Sequence, residues 1–435
     1  MNHIRPMLNS TLLLLSTITG WFTKKKLKRM SYKHQHKRIL IDCTGVQNTI
    51  NVNGIQRVVQ NMAKELAKIA PEEKLDIFPV EFYNDFIIAK TLSECDGSYP
   101  ASHRILTIPG KVLKYLKFYS HIYHNVVKTG HNDILLCLSQ FPYNKHHAVK
   151  YFKYHSKGTL IYMVHDLIPI RYPQFCPNHA DKNFSEWIDA SFMYTDAYIC
   201  VSRTTQKDFL SYMQERGISP SDYFIDTIRL GSDITLSSDT HLPVRPLLQN
   251  IFAQHPSVYL IVSTIEPRKN HQFLLDTFEK LWENDINTVL LIVGRIGWKI
   301  NSLVKQIKHH QEFGSKLFMI NDANDKEVLY CYQHAKAFLF PSFTEGFGLP
   351  IVESLMHGLP VLASDTSIHR EVGGTDITYF NLNDVNSLVI QIKAIEQKKA
   401  TLNVPTTLYK KHIITWYESA HNLLGRIHIL NQKIS

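Results

Sequence analysis

A run of six residues, Ala335–Phe340, almost all of them apolar, empties into the glycine-bearing turn Pro341–Gly348. A helix follows that opens at Pro350 and closes at Gly358. A short run that is apolar at nearly every position suits a strand covered on both faces, as in a parallel sheet with helices on either side. Proline is favoured just inside a helix start and glycine just past its end. Gly346 and Gly348, with Phe347 and Leu349 around them, leave backbone N–H groups accessible ahead of that helix, where its positive dipole end can hold an anion. Two acids flank the turn. Glu345 lies at the carboxyl end of the strand, where open α/β sheets bind their ligands. Glu353 lies in the first helical turn, opposite an apolar face of Ile351, Val352, Leu355 and Met356, so Glu353, Ser354 and His357 are expected to face a cleft or solvent. An acid in a first helical turn is also ordinary helix chemistry, and the pair alone defines no site.

The same strand–helix alternation runs through the chain. Arg38–Asp42, Asp76–Phe82, Ile134–Leu138, Leu160–Val164 and Ala197–Val201 read as strands, with a helix over Gly54–Ile69. After the polar, proline-bearing run Ser237–Pro246 a second series begins. Its strands are Val258–Ser263, Val289–Val293, Leu317–Ile320 and Ala337–Phe340; its helices are His271–Glu283, Lys326–His334 and Pro350–His357. An amphipathic helix over Leu408–Leu430 ends the pattern. The chain then divides into an N-terminal extension (1–37), two doubly wound α/β domains (38–236 and 237–407), and a C-terminal helix and tail (408–435) that packs back across both. At 435 residues it is long enough for two substantial cores. Two such domains facing one another would line a cleft with the carboxyl ends of both sheets.

The formal charge of +10 suggests nucleic acid until it is located. Arg5, Lys24, Lys25, Lys26, Lys28, Arg29, Lys33, Lys37 and Arg38 fall within the first 38 residues, which hold no acid. That leaves 39 basic against 38 acidic residues in the body. No nucleic-acid partner is expected. Met7–Phe22 is apolar but shorter and more polar than the ~20 residues a membrane span needs. With the basic run Lys24–Arg29 behind it, residues 7–29 suit attachment to an anionic membrane surface on the cytoplasmic side. Translation starting at Met30 is the alternative. Six cysteines without a C-x-x-C pair favour a reducing compartment and argue against zinc.

Several residues could carry chemistry. Gly54, in Asn51–Arg57, would let backbone approach a phosphate at a helix start, though a plain turn reads equally well. His165 follows the strand Leu160–Val164 and would sit at its carboxyl end, where a structural role is also common. Arg268 offers a planar fork for phosphate oxygens and Lys269 a compact charge; the plain alternative is two solvated cations on a loop. No two aspartates are spaced D-x-D, and there is no Walker loop, nucleophile elbow or H-E-x-x-H. A diphosphate here would be neutralised by Arg268, Lys269 and a helix N-terminus, with no metal and no other cofactor.

Taken together, these residues resemble the family 4 retaining glycosyltransferases, also described as glycosyl transferases group 1. The resemblance rests on Asn53-Gly54-Ile55-Gln56-Arg57, Val164-His165-Asp166-Leu167, Ile199-Cys200-Val201-Ser202, Glu266-Pro267-Arg268-Lys269-Asn270, Ile292-Val293-Gly294, and Pro341–Glu353 continuing to Gly358-Leu359-Pro360-Val361. It covers about Arg38 to about Leu424 and implies the GT-B fold: two facing Rossmann-like domains, the first for acceptor and the second for donor, with a C-terminal helix crossing back. It implies further that Glu353 binds the ribose of a nucleotide sugar and Glu345 the donor sugar. Arg268, Lys269 and the backbone around Gly346, Phe347, Gly348 and Leu349 would hold the diphosphate, Gly54 would close over it, and His165 would lie beside the transferred sugar. Many members have Gly-Arg where this chain has Ser263-Thr264, which puts more of the diphosphate on Arg268 and Lys269. The implied activity is transfer of a hexose, with GDP-mannose the first expectation, to a glycan or lipid-linked acceptor of a bacterial O-antigen or capsule, at the cytoplasmic face of the membrane. A sugar-nucleotide epimerase or hydrolase on the same fold, and a non-enzymatic nucleotide- or glycan-binding protein, are the alternatives.

Overall fold

The computed structural model describes residues 37–44, 54–83, 86–90, 126–139, 146–233, 243–402 and 413–434. Residues 1–36 of the N-terminal extension, 7–29 among them, the segment Asn51–Asn53 and most of Ser237–Pro246 lie outside these, and Lys37 opens the first strand. The chain forms two compact units. One draws on Met1–Thr49, Ala63–Tyr162 and Met193–Asp196; the other on Ile50–Met62, Met163–Phe192 and Ala197–Ser435.

Thirteen strands are described, in two sheets. The first comprises β1 (Lys37–Asp42), β2 (Leu75–Tyr83), β3 (Phe86–Ala89), β4 (Ile134–Cys137), β5 (Thr159–Val164), β6 (Ala197–Cys200) and β7 (Phe224–Thr227), in the order β3-β2-β1-β4-β5-β6-β7. The second comprises β8 (Val258–Val262), β9 (Val289–Val293), β10 (Leu317–Ile320), β11 (Ala337–Phe340), β12 (Val361–Ser364) and β13 (Thr378–Phe380), in the order β10-β9-β8-β11-β12-β13. Every pairing in the second sheet is parallel. β3 is an antiparallel edge on β2. Val289–Val293 shows why these runs are strands. All five residues are buried, each apolar side chain contributing ~1.5–3 kcal/mol, and a short β-branched-rich strand covered on both faces buries them all.

Most of the expected elements are present within a residue or two at each end, and the Gly54–Ile69 and His271–Glu283 helices match at both ends. The expected helix over Lys326–His334 begins at Asp325, because Asn324 and Glu327 cap it reciprocally. The pattern does not reveal β3, β7, β12 or β13. Three of these are sheet edges, and all four are too short to show a period. The last helix starts later than its pattern suggests: it runs Trp416–Ile434, and the expected residues 408–412 lie outside the described ones. Thr415 and Glu418 cap it, the Glu418 carboxylate accepting from the Thr415 N–H at 2.7 Å and Thr415 Oγ1 accepting from the Glu418 N–H at 3.2 Å. This helix returns to the end of the first series of strands. Ser419 donates to the Arg229 carbonyl at 2.6 Å, and Arg426 pairs with Asp226 on β7 at 3.1 Å.

Candidate active site

The order of the second sheet reverses between β8 and β11, and the crevice beyond the carboxyl ends at such a reversal is where α/β sheets bind ligands. Pairing of Ala337 with Tyr259 and Phe338 with Leu260 sets these strands side by side. The loops that leave them, Ser263–Asn270 and Pro341–Gly348, are therefore neighbours. The Phe343 N–H donates to the Arg268 carbonyl at 3.0 Å, and Arg268 Nη1 donates to the Thr344 carbonyl at 2.8 Å.

Arg268 and Lys269 converge on Glu345. Arg268 Nη1 lies 2.6 Å from Oε2 and Lys269 Nζ 2.5 Å from Oε1, with the three side chains only 16%, 10% and 9% exposed. Arg268 also bonds the buried Glu266 at 2.7 Å. Burial alone would raise the Glu345 carboxyl, but the charges of Arg268 and Lys269 outweigh it and hold the group down at about 2. Glu345 is thus a fixed anion at any physiological pH and cannot serve as a proton donor. Burial, reinforced by the neighbouring Arg268, lowers Lys269. For Arg268 burial works the other way from Glu345 and Glu266, whose charges prevail and raise it.

Gly346 follows this cluster and admits no side chain: a Cβ there would stand 2.0 Å from the His165 carbonyl oxygen. The contact is fixed by Ser202 Oγ and Thr205 Oγ1, which donate to the Gly346 carbonyl at 2.7 and 3.1 Å, while Thr205 Oγ1 also reaches the His165 carbonyl at 3.2 Å. His165, buried after β5, is in this way brought against the Glu345 turn. Gly348 takes φ +94, a left-handed conformation that favours glycine, as the cap of the Leu349–Met356 helix. Phe347 is buried.

Of the two settings that its helical position allows, a cleft or solvent, Glu353 does not take solvent. It is 3% exposed, and Ser354 is fully buried. Arg57 Nη1 lies 2.5 Å from Glu353 Oε1, and the Tyr332 hydroxyl donates to Oε2 at 3.0 Å. The Glu353 charge is the largest influence on Arg57, raising it, while burial drives the Tyr332 hydroxyl well up. Each carboxylate oxygen keeps a further lone pair for another donor. Gly54 opens the helix that carries Arg57, and a Cβ there would meet nothing within 4 Å among the described residues, so their packing does not require glycine at that position. The two acids are held by separate partners, 345 by cations on its own sheet and 353 by an arginine from far back in the chain.

Residues 249–411 match the family model for glycosyl transferases group 1. That segment belongs to the family. It contains Arg268, Lys269, Glu345 and Glu353, whereas Arg57 and His165 precede it. Over 414 residues the chain is 27% identical to the serotype-specific mannosyltransferase WbdA of Escherichia coli, covering 92% of this chain and 48% of that protein. The chain spans about half the length of the curated relatives it matches at this level. The O-antigen chain mannosyltransferase B of Escherichia coli is 25% identical over 249 residues, 57% of this chain and 64% of that one. Among solved structures, a sucrose-phosphate synthase of Thermosynechococcus elongatus superposes with a TM-score of 0.61 at 15% identity, covering 92% of this chain and 100% of that chain. The fold is GT-B, α/β with two largely parallel sheets flanked by helices.

Sequence reasoning missed several residues of these clusters. Arg57 stands three residues after Gly54 in a recognised run, and that spacing was its only signal. Tyr332 gives none, being one aromatic among several in the expected Lys326–His334 helix. Glu266 lies in the recognised Glu266–Asn270 run, but its pairing with Arg268 is tertiary. His271 Nε2 meets Ser263 Oγ at 3.2 Å, and burial with the Lys269 charge lowers its imidazole to about 3. Among the described residues, no group of three or more His, Cys, Asp or Glu could hold a metal ion. Cys43, Cys137, Cys176, Cys200 and Cys331 are buried. No described helix is long and apolar enough to cross a membrane.

Proposed function

We propose that the protein is a retaining, metal-independent glycosyltransferase that moves a hexose, mannose from GDP-mannose first, onto a glycan or lipid-linked acceptor in bacterial surface polysaccharide synthesis. The observation that carries this reading is the buried Glu345 carboxylate held between Arg268 and Lys269 at the sheet reversal. Cleaving a sugar–phosphate bond builds positive charge on the sugar and negative charge on the departing diphosphate, so a transferase needs fixed charges of both signs. Glu345, ionised throughout, would oppose the first; Arg268, Lys269 and the N–H groups of Phe347–Leu349 would take up the second. Glu353 would accept from the ribose hydroxyls alongside Arg57 and Tyr332. In this reading the C1–O bond to phosphate breaks, the acceptor oxygen bonds C1 from the same face, and its proton passes to a leaving phosphate oxygen. No protein base is then needed, and His165 serves to position sugar and acceptor. Two mannosyltransferases among the relatives support the donor choice. The basic head would keep the enzyme at the inner face of the membrane.

A thermal-shift panel of nucleotide sugars tests the donor, since a bound ligand raises stability by mass action. GDP-mannose should give the largest shift, and transfer should survive EDTA. Glu345→Ala should abolish transfer while still binding nucleotide. Donor consumed at the same rate without acceptor would instead assign a hydrolase or epimerase, and wild-type transfer by the variant would refute the role of Glu345.

A further inference from the structure

Three loops that carry or adjoin site residues each present an aromatic ring to one patch. Tyr172 and Phe175 lie on the segment that follows His165. Phe343 lies two residues before Glu345, and Trp298 lies on the loop after β9. The Phe175 and Phe343 rings stack at 5.0 Å with an interplanar angle of 13°, and Tyr172 stacks on Phe175 at 6.2 Å and 22°. The Trp298 indole N–H donates to the Phe175 carbonyl at 2.8 Å. Despite these contacts Tyr172, Trp298 and Phe343 remain 39%, 38% and 39% exposed. Clustered exposed rings of this kind mark a binding surface, because a folded chain otherwise covers them.

The loops are held in place. Phe343 is pinned through its N–H to the Arg268 carbonyl at 3.0 Å. The Trp298 loop is tied to the strand-end loop of Arg268: the Ile265 N–H donates to the Arg295 carbonyl at 2.7 Å and the Gly297 N–H to the Ile265 carbonyl at 2.9 Å. The rings are thus preorganised on backbone shared with the Arg268–Glu345 pair, which lowers the ordering cost of binding. Charged groups stand near one end of the patch: the Cys176 thiol next to Phe175 feels Asp166, Arg268, Glu266 and Lys299. Flat apolar faces with charge at one end match a pyranose, which offers a C–H face and a hydroxyl edge, and fit a helix or an acyl chain poorly.

We propose that Tyr172, Phe175, Phe343 and Trp298 form a platform for a sugar ring of the acceptor glycan, whose next hydroxyl then lies toward Glu345. This rests on the transferase reading for its occupant. The platform sets acceptor affinity and leaves donor binding alone.

The test uses the full chain with α-linked mannotriose as probe. Phe343→Ala and Trp298→Ala should each raise the acceptor KM about tenfold, ~1.4 kcal/mol, with the donor KM and the GDP-mannose thermal shift unchanged. Phe343→Tyr, which keeps the ring, should restore the wild-type value. Independently of turnover, mannotriose should quench wild-type tryptophan fluorescence and fail to quench Trp298→Phe. Quenching without any transfer would refute the transferase reading and leave a glycan platform. Transfer with unchanged acceptor KM in both alanine variants would refute the platform. Equal loss of donor shift, or quenching by dodecylphosphocholine micelles and not by mannotriose, would also overturn it.

Discussion

Replacing Glu345 by Gln removes one negative charge and nearly preserves shape. In the wild type that carboxylate neutralises Arg268 at 2.6 Å and Lys269 at 2.5 Å, among side chains no more than 16% exposed. In the variant Glu266 still pairs with Arg268, at 2.7 Å, but Lys269 loses its carboxylate. Removing one partner of a buried ion pair costs ~3–5 kcal/mol. Arg268 keeps Glu266 and the amide oxygen can accept one bond, so the lower end, ~3 kcal/mol, is expected. Urea denaturation followed by tryptophan fluorescence measures it, since Trp187, Trp282, Trp298 and Trp416 all belong to the larger unit. The sign with pH follows from the depressed carboxyl. The wild-type advantage is fully present above about 4.5, the ordinary value, and disappears as pH falls through about 2. Two incompletely compensated cations should also bind inorganic pyrophosphate better, so a fixed pyrophosphate concentration should raise the melting temperature of the variant more than that of the wild type. A stability loss below ~1 kcal/mol, too small for a buried ion pair, or an equal pyrophosphate shift in both proteins, would refute this account of the cluster.

Two further outcomes are expected. Gly346→Ala would set a methyl 2.0 Å from the His165 carbonyl oxygen, and because the methyl is fixed to Cα and the oxygen belongs to backbone the strain should reach ~3 kcal/mol in denaturation, the upper range for overpacking; a loss below ~1 kcal/mol would show that the two loops can part freely. His271, lowered to about 3, stays neutral in the fold while the unfolded chain gains a proton below about 6.5. Stability should therefore fall by up to ~1.4 kcal/mol per pH unit on acidification between those values, and His271→Gln should flatten that slope by up to one proton in a pH series of urea titrations.

Much of the fold is legible locally. Val289–Val293 and Ala337–Phe340 read as strands buried on both faces, because apolar runs so short, bounded by turn signals, suit neither an amphipathic helix nor an exposed edge. Pro350 and Gly358 bracket their helix for reasons held within a few residues. The late start of the last helix was written in Thr415 and Glu418 but obscured by an apolar pattern that runs on before them. Edge strands such as β7 were hidden, since an edge tolerates the mixed sequence Phe224-Ile225-Asp226-Thr227.

The Pro341–Glu353 run announces by itself two acids around a glycine turn at the mouth of a buried strand, since strand ends, glycine turns and helix starts are all local events. It does not announce that Glu345 is an anion closed between two cations, or that Glu353 is buried against Arg57 and Tyr332. Those are matters of which strands become neighbours. The pairing of β8 with β11 brings Lys269, with Arg268 beside it, to a carboxylate 76 residues from Lys269, and folding brings Arg57 to one 296 residues away. The charge state of each acid depends on these partners and on burial, which no window of sequence contains.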